Sequence, residues 1–78
     1  MKTFQYAIAD TFLCALINGD TTGLDDSDEQ YLDDFQAHVI ESHGVGHWSV
    51  ISDYAEFARD EVTGLHANCL TVEWVVIS

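Results

Sequence analysis

Seven of the fourteen acidic residues of this 78-residue chain fall within fifteen positions: Asp20, Asp25, Asp26, Asp28, Glu29, Asp33 and Asp34. Carboxylates at this density can hold a hard cation, exchange protons with a substrate, or present negative charge to a cationic partner. A calcium loop needs oxygen ligands at alternating positions, a glycine at the sixth and a glutamate at the twelfth. Counting from Asp20 puts Leu24 at the fifth position, and counting from Asp25 or Asp26 places no glycine at the sixth. A glycosidase-type acid–base pair flanks a bond from two sides. Asp33 and Asp34 are instead neighbours on an expected helix and point apart. Charge display is the remaining use, and these seven residues are the candidate partner-binding set.

The other reactive residues give less. His38, His43, His47 and His66 are scattered, and His43-Gly44-Val45-Gly46-His47 lacks the tight Cys and His pairs of a zinc site. No metal and no cofactor is expected. Cys14 and Cys69 are both flanked by apolar residues and read as buried, reduced thiols. Cys14 with a histidine is the only nucleophile–base pair available, and there is neither a phosphate-cradling glycine loop nor a serine nucleophile elbow. The expectation is a protein without catalytic residues.

Charge narrows the partner. Only Lys2 and Arg59 oppose the fourteen acids, for a formal net charge of −12. Nucleic-acid binders neutralise phosphates with Lys and Arg, so direct nucleic-acid binding is excluded, and anionic membranes are disfavoured for the same reason. The expected partner is basic. The apolar runs fall well short of the ~20 residues that span a bilayer. With no apolar run near Met1 leading to a small-residue cleavage site, the expected location is the cytoplasm of a host cell.

These carboxylates need a scaffold, and 47% hydrophobic residues with nine aromatics can supply one. One domain, residues 1–78, is expected. Phe4, Ile8, Phe12, Ala15 and Leu16 predict a helix over about Gln5–Ile17, with a short strand as the alternative for its first residues, and Asn18-Gly19 stops it. Ser27-Asp28-Glu29-Gln30 fits a capping box opening a second helix. There Leu32, Phe35 and Val39 form the buried stripe, Asp33, Asp34 and Glu41 lie off it, and Gly44 ends the run. Trp48, Val50 and Ile51 predict a strand over His47–Ser52, Tyr54–Arg59 is strand or helical turn, and Asp60–His66 is a turn. Asn68–Ile77 alternates Leu70, Val72, Trp74 and Val76 with Thr71, Glu73 and Val75, a clear strand. The expected class is α+β, two helices packed on one face of an antiparallel sheet of about three strands. Trp48 and Trp74 read as core; one left exposed beside the acidic rim would anchor an interface.

The stretch Cys14-Ala15-Leu16-Ile17-Asn18-Gly19-Asp20-Thr21-Thr22-Gly23-Leu24-Asp25-Asp26, with Cys69-Leu70-Thr71 opening an aromatic-containing strand, resembles small acidic proteins of plasmids and phages. The resemblance implies the company of anti-CRISPR and anti-restriction inhibitors, several of which are similar to DNA in charge distribution. It carries over no catalytic residue. The implied partner is a basic nucleic-acid-binding groove of a CRISPR effector or restriction enzyme. Asp20, Asp25, Asp26, Asp28, Glu29, Asp33 and Asp34 would supply the charge, with Glu41 and Asp53 as outliers. The competing reading is a salt-adapted or accessory structural domain. A monomer is expected, the alternative being a homodimer joined through the Asn68–Ile77 strand.

Overall fold

The structure is a computed structural model that describes residues 2–77. Its elements are β1 (Thr3–Ala9), α1 (Asp10–Asn18), α2 (Asp26–His43), β2 (Gly46–Val50), β3 (Glu56–Arg59) and β4 (His66–Val76). The long alternating strand near the end of the chain, β4, is the axis of an antiparallel sheet. β1 pairs along it from Thr3↔Val75 to Ala9↔Cys69, β2 from Gly46↔Val76 to Val50↔Val72, and β3 from Glu56↔Cys69 to Arg59↔His66. The fold is α+β, as the residue patterns predict.

The sheet has four strands rather than three because one edge is interrupted. The Val76 amide donates to the Lys2 carbonyl, so even-numbered β4 residues turn their backbone groups toward β1. Bonds from Ile77 to Val45 and from Asp60 to Leu65 turn odd-numbered residues toward both β2 and β3. These two short strands therefore lie end to end along the other side of β4. Between them residues 52–55 leave the ladder, and the Ser52 hydroxyl accepts the Thr71 amide at 2.7 Å. With both its sides paired, β4 has no free edge. The homodimer pictured through Asn68–Ile77 is ruled out by this topology.

The helix predicted over Gln5–Ile17 is a strand for its first part. Phe4, Ile8 and Phe12 are four apart, a spacing that satisfies a period of two as well as a period of 3.6, and Tyr6 completes the alternation. Seven paired positions with β4 settle the matter for the strand. Helix α1 begins only at Asp10, buries Phe12, Ala15 and Leu16, and stops at Gly19. That residue has φ +71°, a left-handed conformation open to glycine, and its amide bonds back to Ala15.

Phe4, Tyr6 and Ile8 share a sheet face with Trp48, Val72 and Trp74, and α2 packs there. Phe35 meets Tyr6 edge-on at 5.3 Å and stacks on Trp48 at 5.8 Å. Trp48 and Trp74 meet at 4.8 Å. Leu32 joins Ile8, Phe12, Leu16 and Val72 in one buried cluster, which links both helices to the sheet. The Trp74 indole donates to the Gly44 carbonyl at 3.1 Å, tying the end of α2 to β4. Two residues on, Gly46 sits where an added Cβ would lie 2.2 Å from the Val75 carbonyl oxygen and 2.9 Å from the Trp74 ring.

Candidate acidic interaction surface

Helix α2 starts two residues before the predicted capping box. Its cap is Asp25, whose Oδ1 accepts the Asp28 amide at 2.8 Å. Ser27 already lies inside the helix, and the Gln30 side chain points forward to Asp34 Oδ1 at 2.9 Å rather than back to Ser27. Asp and Ser are comparable as caps, and Asp25 leaves three further acids, Asp26, Asp28 and Glu29, in the first turn at the positive end of the helix dipole.

A rotation of about 100° per residue sorts the α2 side chains. Leu32, Phe35, Val39 and His43 face the sheet. Asp26, Asp33, Asp34 and Glu41 are exposed on the opposite half, while Asp28 and Glu29 flank the inner stripe and are half-buried. The seven predicted residues are thus divided by role. Asp26, Asp33 and Asp34 share an exposed helix face. Asp25 is at its entrance but is committed to a cap. Asp28 and Glu29 are turned partly inward, and Asp20 lies in the preceding loop.

Asp20 is also committed locally. Its Oδ1 accepts from the Thr22 hydroxyl at 2.6 Å and from the Thr22 amide at 3.0 Å, and these bonds hold its carboxyl below the ordinary aspartate range. Glu41, an outlier in the sequence reading, extends the α2 row. Asp53 does not; it sits in the 51–55 segment that leaves the sheet edge.

The row from Asp26 to Glu41 spans about 22 Å at 1.5 Å per residue. Duplex DNA would carry about thirteen charges over that length and a single strand six or seven. Four carboxylates on the face, with Asp25 and Asp20 before it, come closer to one strand than to a duplex. Most of the remaining acids, including Asp10, Glu56, Asp60, Glu61 and Glu73, sit on other elements.

The aromatic residue on this surface is Tyr31, about half exposed, beside an open depression lined by Asp26, Ser27 and Gln30. The predicted anchors are elsewhere: Trp74 is buried and Trp48 is half-buried against Phe35. Tyr31 was legible only as support for the stripe, because its angle on the helix depends on where the helix starts. Neither cation interleaves with the acids. Lys2 precedes β1, and the Arg59 Nε donates to the Gly64 carbonyl at 3.0 Å.

The histidines do not converge. Among the described residues, no three His, Cys, Asp or Glu side chains form a metal-holding group. His43, read from sequence as a loop or strand-end residue, occupies the last turn of α2, with its ring stacked on Phe4 at 3.5 Å and its Nε2 2.7 Å from the Tyr6 hydroxyl. Cys69 is buried, and that burial, reinforced by the nearby Asp60 carboxylate, pushes its thiol pKa up. Cys14, expected in the core, is exposed on α1 because Phe12, Ala15 and Leu16 take the inward positions. Asp60 is buried in the β3–β4 turn, where it accepts from the Val62 and Thr63 amides and the Thr63 hydroxyl, a structural use of a carboxylate.

No protein-family model, curated protein or solved structure matches the chain. Among the described residues, no helix is long and apolar enough to cross a membrane.

Proposed function

We propose that this chain is a non-enzymatic inhibitor carried by a mobile element, which occupies a basic nucleic-acid groove of a host defence complex of the CRISPR or restriction kind. The observation that supports this reading is the exposed row Asp26, Asp33, Asp34 and Glu41 on a helix packed firmly to a sheet, with no Lys or Arg between them. Fixed carboxylates lose little freedom on binding, steer a basic partner from a distance, and make the complex sensitive to salt. Their spacing favours a groove that receives a single strand over one that grips a duplex. Work would take place in the host cytoplasm.

The test is the variant Asp26→Asn, Asp33→Asn, Asp34→Asn, Glu41→Gln. Asp25 is left in place because its removal would damage the helix start. Binding to the basic groove of a CRISPR effector or restriction enzyme, assayed by competition with its nucleic acid, should be lost while the circular dichroism spectrum is unchanged. Undiminished competition by the variant would sink the proposal.

A second reading, a salt-adapted or accessory domain, draws on the acids spread over the other elements, from Asp10 to Glu73. It requires unfolding at low salt and recovery at molar salt, whereas the inhibitor folds in both.

A further inference from the structure

We infer that the outer edge of β3 is a docking site for a second copy of this chain, joined strand to strand. This inference stands apart from the inhibitor reading. The Asp60–Leu65 bond fixes the ladder alternation, so Glu56, Ala58 and Asp60 turn their backbone groups toward β4. The amides and carbonyls of Phe57 and Arg59 therefore point outward along an open edge. Edge strands are commonly blunted by lysine, proline or a covering segment. β3 carries no lysine or proline. The outer edge of β1, by contrast, is engaged at Ala7, whose carbonyl accepts the Glu61 amide at 2.9 Å.

Side chains at this edge have the composition of an interface. Phe57, Leu65 and Tyr54 are 72%, 69% and 66% exposed, among the most exposed large apolar residues of the chain. The Phe57 ring is already stacked on His66, centroids 5.6 Å apart, so little freedom is lost on packing it. Charge selects the same edge. Strand Glu56–Arg59 is locally neutral and holds one of the two cations in a chain of net charge −12.

The register follows from the outward groups. Residues opposite each other in an antiparallel pair must share a sheet face. A two-fold axis at Ala58 places Phe57 of each copy opposite Arg59 of the other. Both are hydrogen-bonded positions, giving four backbone bonds and two cross-strand contacts of guanidinium with an aromatic face. Two exposed aromatics and Leu65 from each copy amount to roughly 1,000 Å² of buried surface, the low end of a specific interface. Association should therefore be moderate. Because the sheet continues across the axis, both α2 helices lie on one side of it, and the two acidic faces are presented together.

The full chain would be followed by sedimentation velocity from about 1 to about 300 μM, at about 0.05 and about 0.5 M NaCl. The expected mass rises with concentration from 8.7 kDa to twice that value. It rises further at the higher salt, since screening relieves repulsion between two acidic copies, the opposite of what a basic partner would show. Phe57→Asp should weaken association at least about 30-fold, and Arg59→Glu should weaken it as well. Tyr31→Ala, on the acidic helix, should leave it unchanged, and circular dichroism should show all three variants folded. A chain that stays at 8.7 kDa throughout, or a dimer that survives Phe57→Asp, overturns the inference.

Discussion

Asp25 shows why a count of carboxylates is a poor guide to a charged surface. Its side chain closes the first turn of α2 by accepting the Asp28 amide, so its charge and its capping role are entangled. Asp20 is similarly held by Thr22. Replacement separates the two roles. Asp25→Ala should cost about 1 kcal/mol in a urea melt, whereas Asp25→Asn, which still caps, should cost only a few tenths. Ser27→Ala, at the position that the sequence pattern favours as the cap, should fall within about 0.5 kcal/mol of the wild type. The reverse ranking would mean that the helix starts at Ser27 after all. The choice between two good caps two residues apart rests on which start turns Leu32, Phe35 and Val39 onto the sheet. That information belongs to the tertiary packing and not to the local motif.

At the scale of elements, the same dependence on partners explains what was legible and what was not. The β4 alternation and the α2 stripe each fit one period only, and both elements form where the pattern puts them. β1 carries a pattern that fits two periods, and only β4 as a neighbour decides between them. Strand β3, four residues long, had no period to read; it exists because odd-numbered β4 residues remain unpaired beyond Thr71. The aromatic layer shows a further limit. Trp48 and Trp74 are recognisable as core residues, but nothing in the sequence tells that their contact requires a glycine beside it. Gly46 has an ordinary strand position opposite Val76, yet any Cβ there would collide with the Val75 carbonyl and the Trp74 ring. Gly46→Ala should therefore destabilise the fold by roughly 1–3 kcal/mol through overpacking, read as a lower urea midpoint with an unchanged slope. Gly19→Ala should cost roughly 1 kcal/mol for the left-handed backbone alone. Loss at Gly46 no larger than a surface substitution would mean that β2 and β4 do not approach as closely as described.

For the whole molecule, the acids outside α2 matter as much as those on it, because repulsion acts between all of them. The described chain measures 33 × 26 × 21 Å. At about 0.01 M salt the Debye length is about 30 Å, so nearly every carboxylate feels every other; at about 0.15 M it is about 8 Å, and only neighbours interact. Stability should climb steeply between these conditions and then flatten. Each kcal/mol of repulsion relieved raises the melting temperature of a domain this small by roughly 4–8 °C. The variant neutralised at Asp26, Asp33, Asp34 and Glu41 lowers the formal net charge from −12 to −8. In about 0.01 M salt it should melt above the wild type and respond less to added salt, even though it no longer competes for a basic groove. A surface that weakens the fold while serving a partner behaves in this way. Carboxylates kept for salt adaptation do the reverse: their removal lowers the melting temperature at molar salt and leaves nothing to lose in binding. Melting both proteins across the salt range thus decides, without any knowledge of the partner, whether the acidic row of α2 is maintained at the expense of the fold or for its benefit.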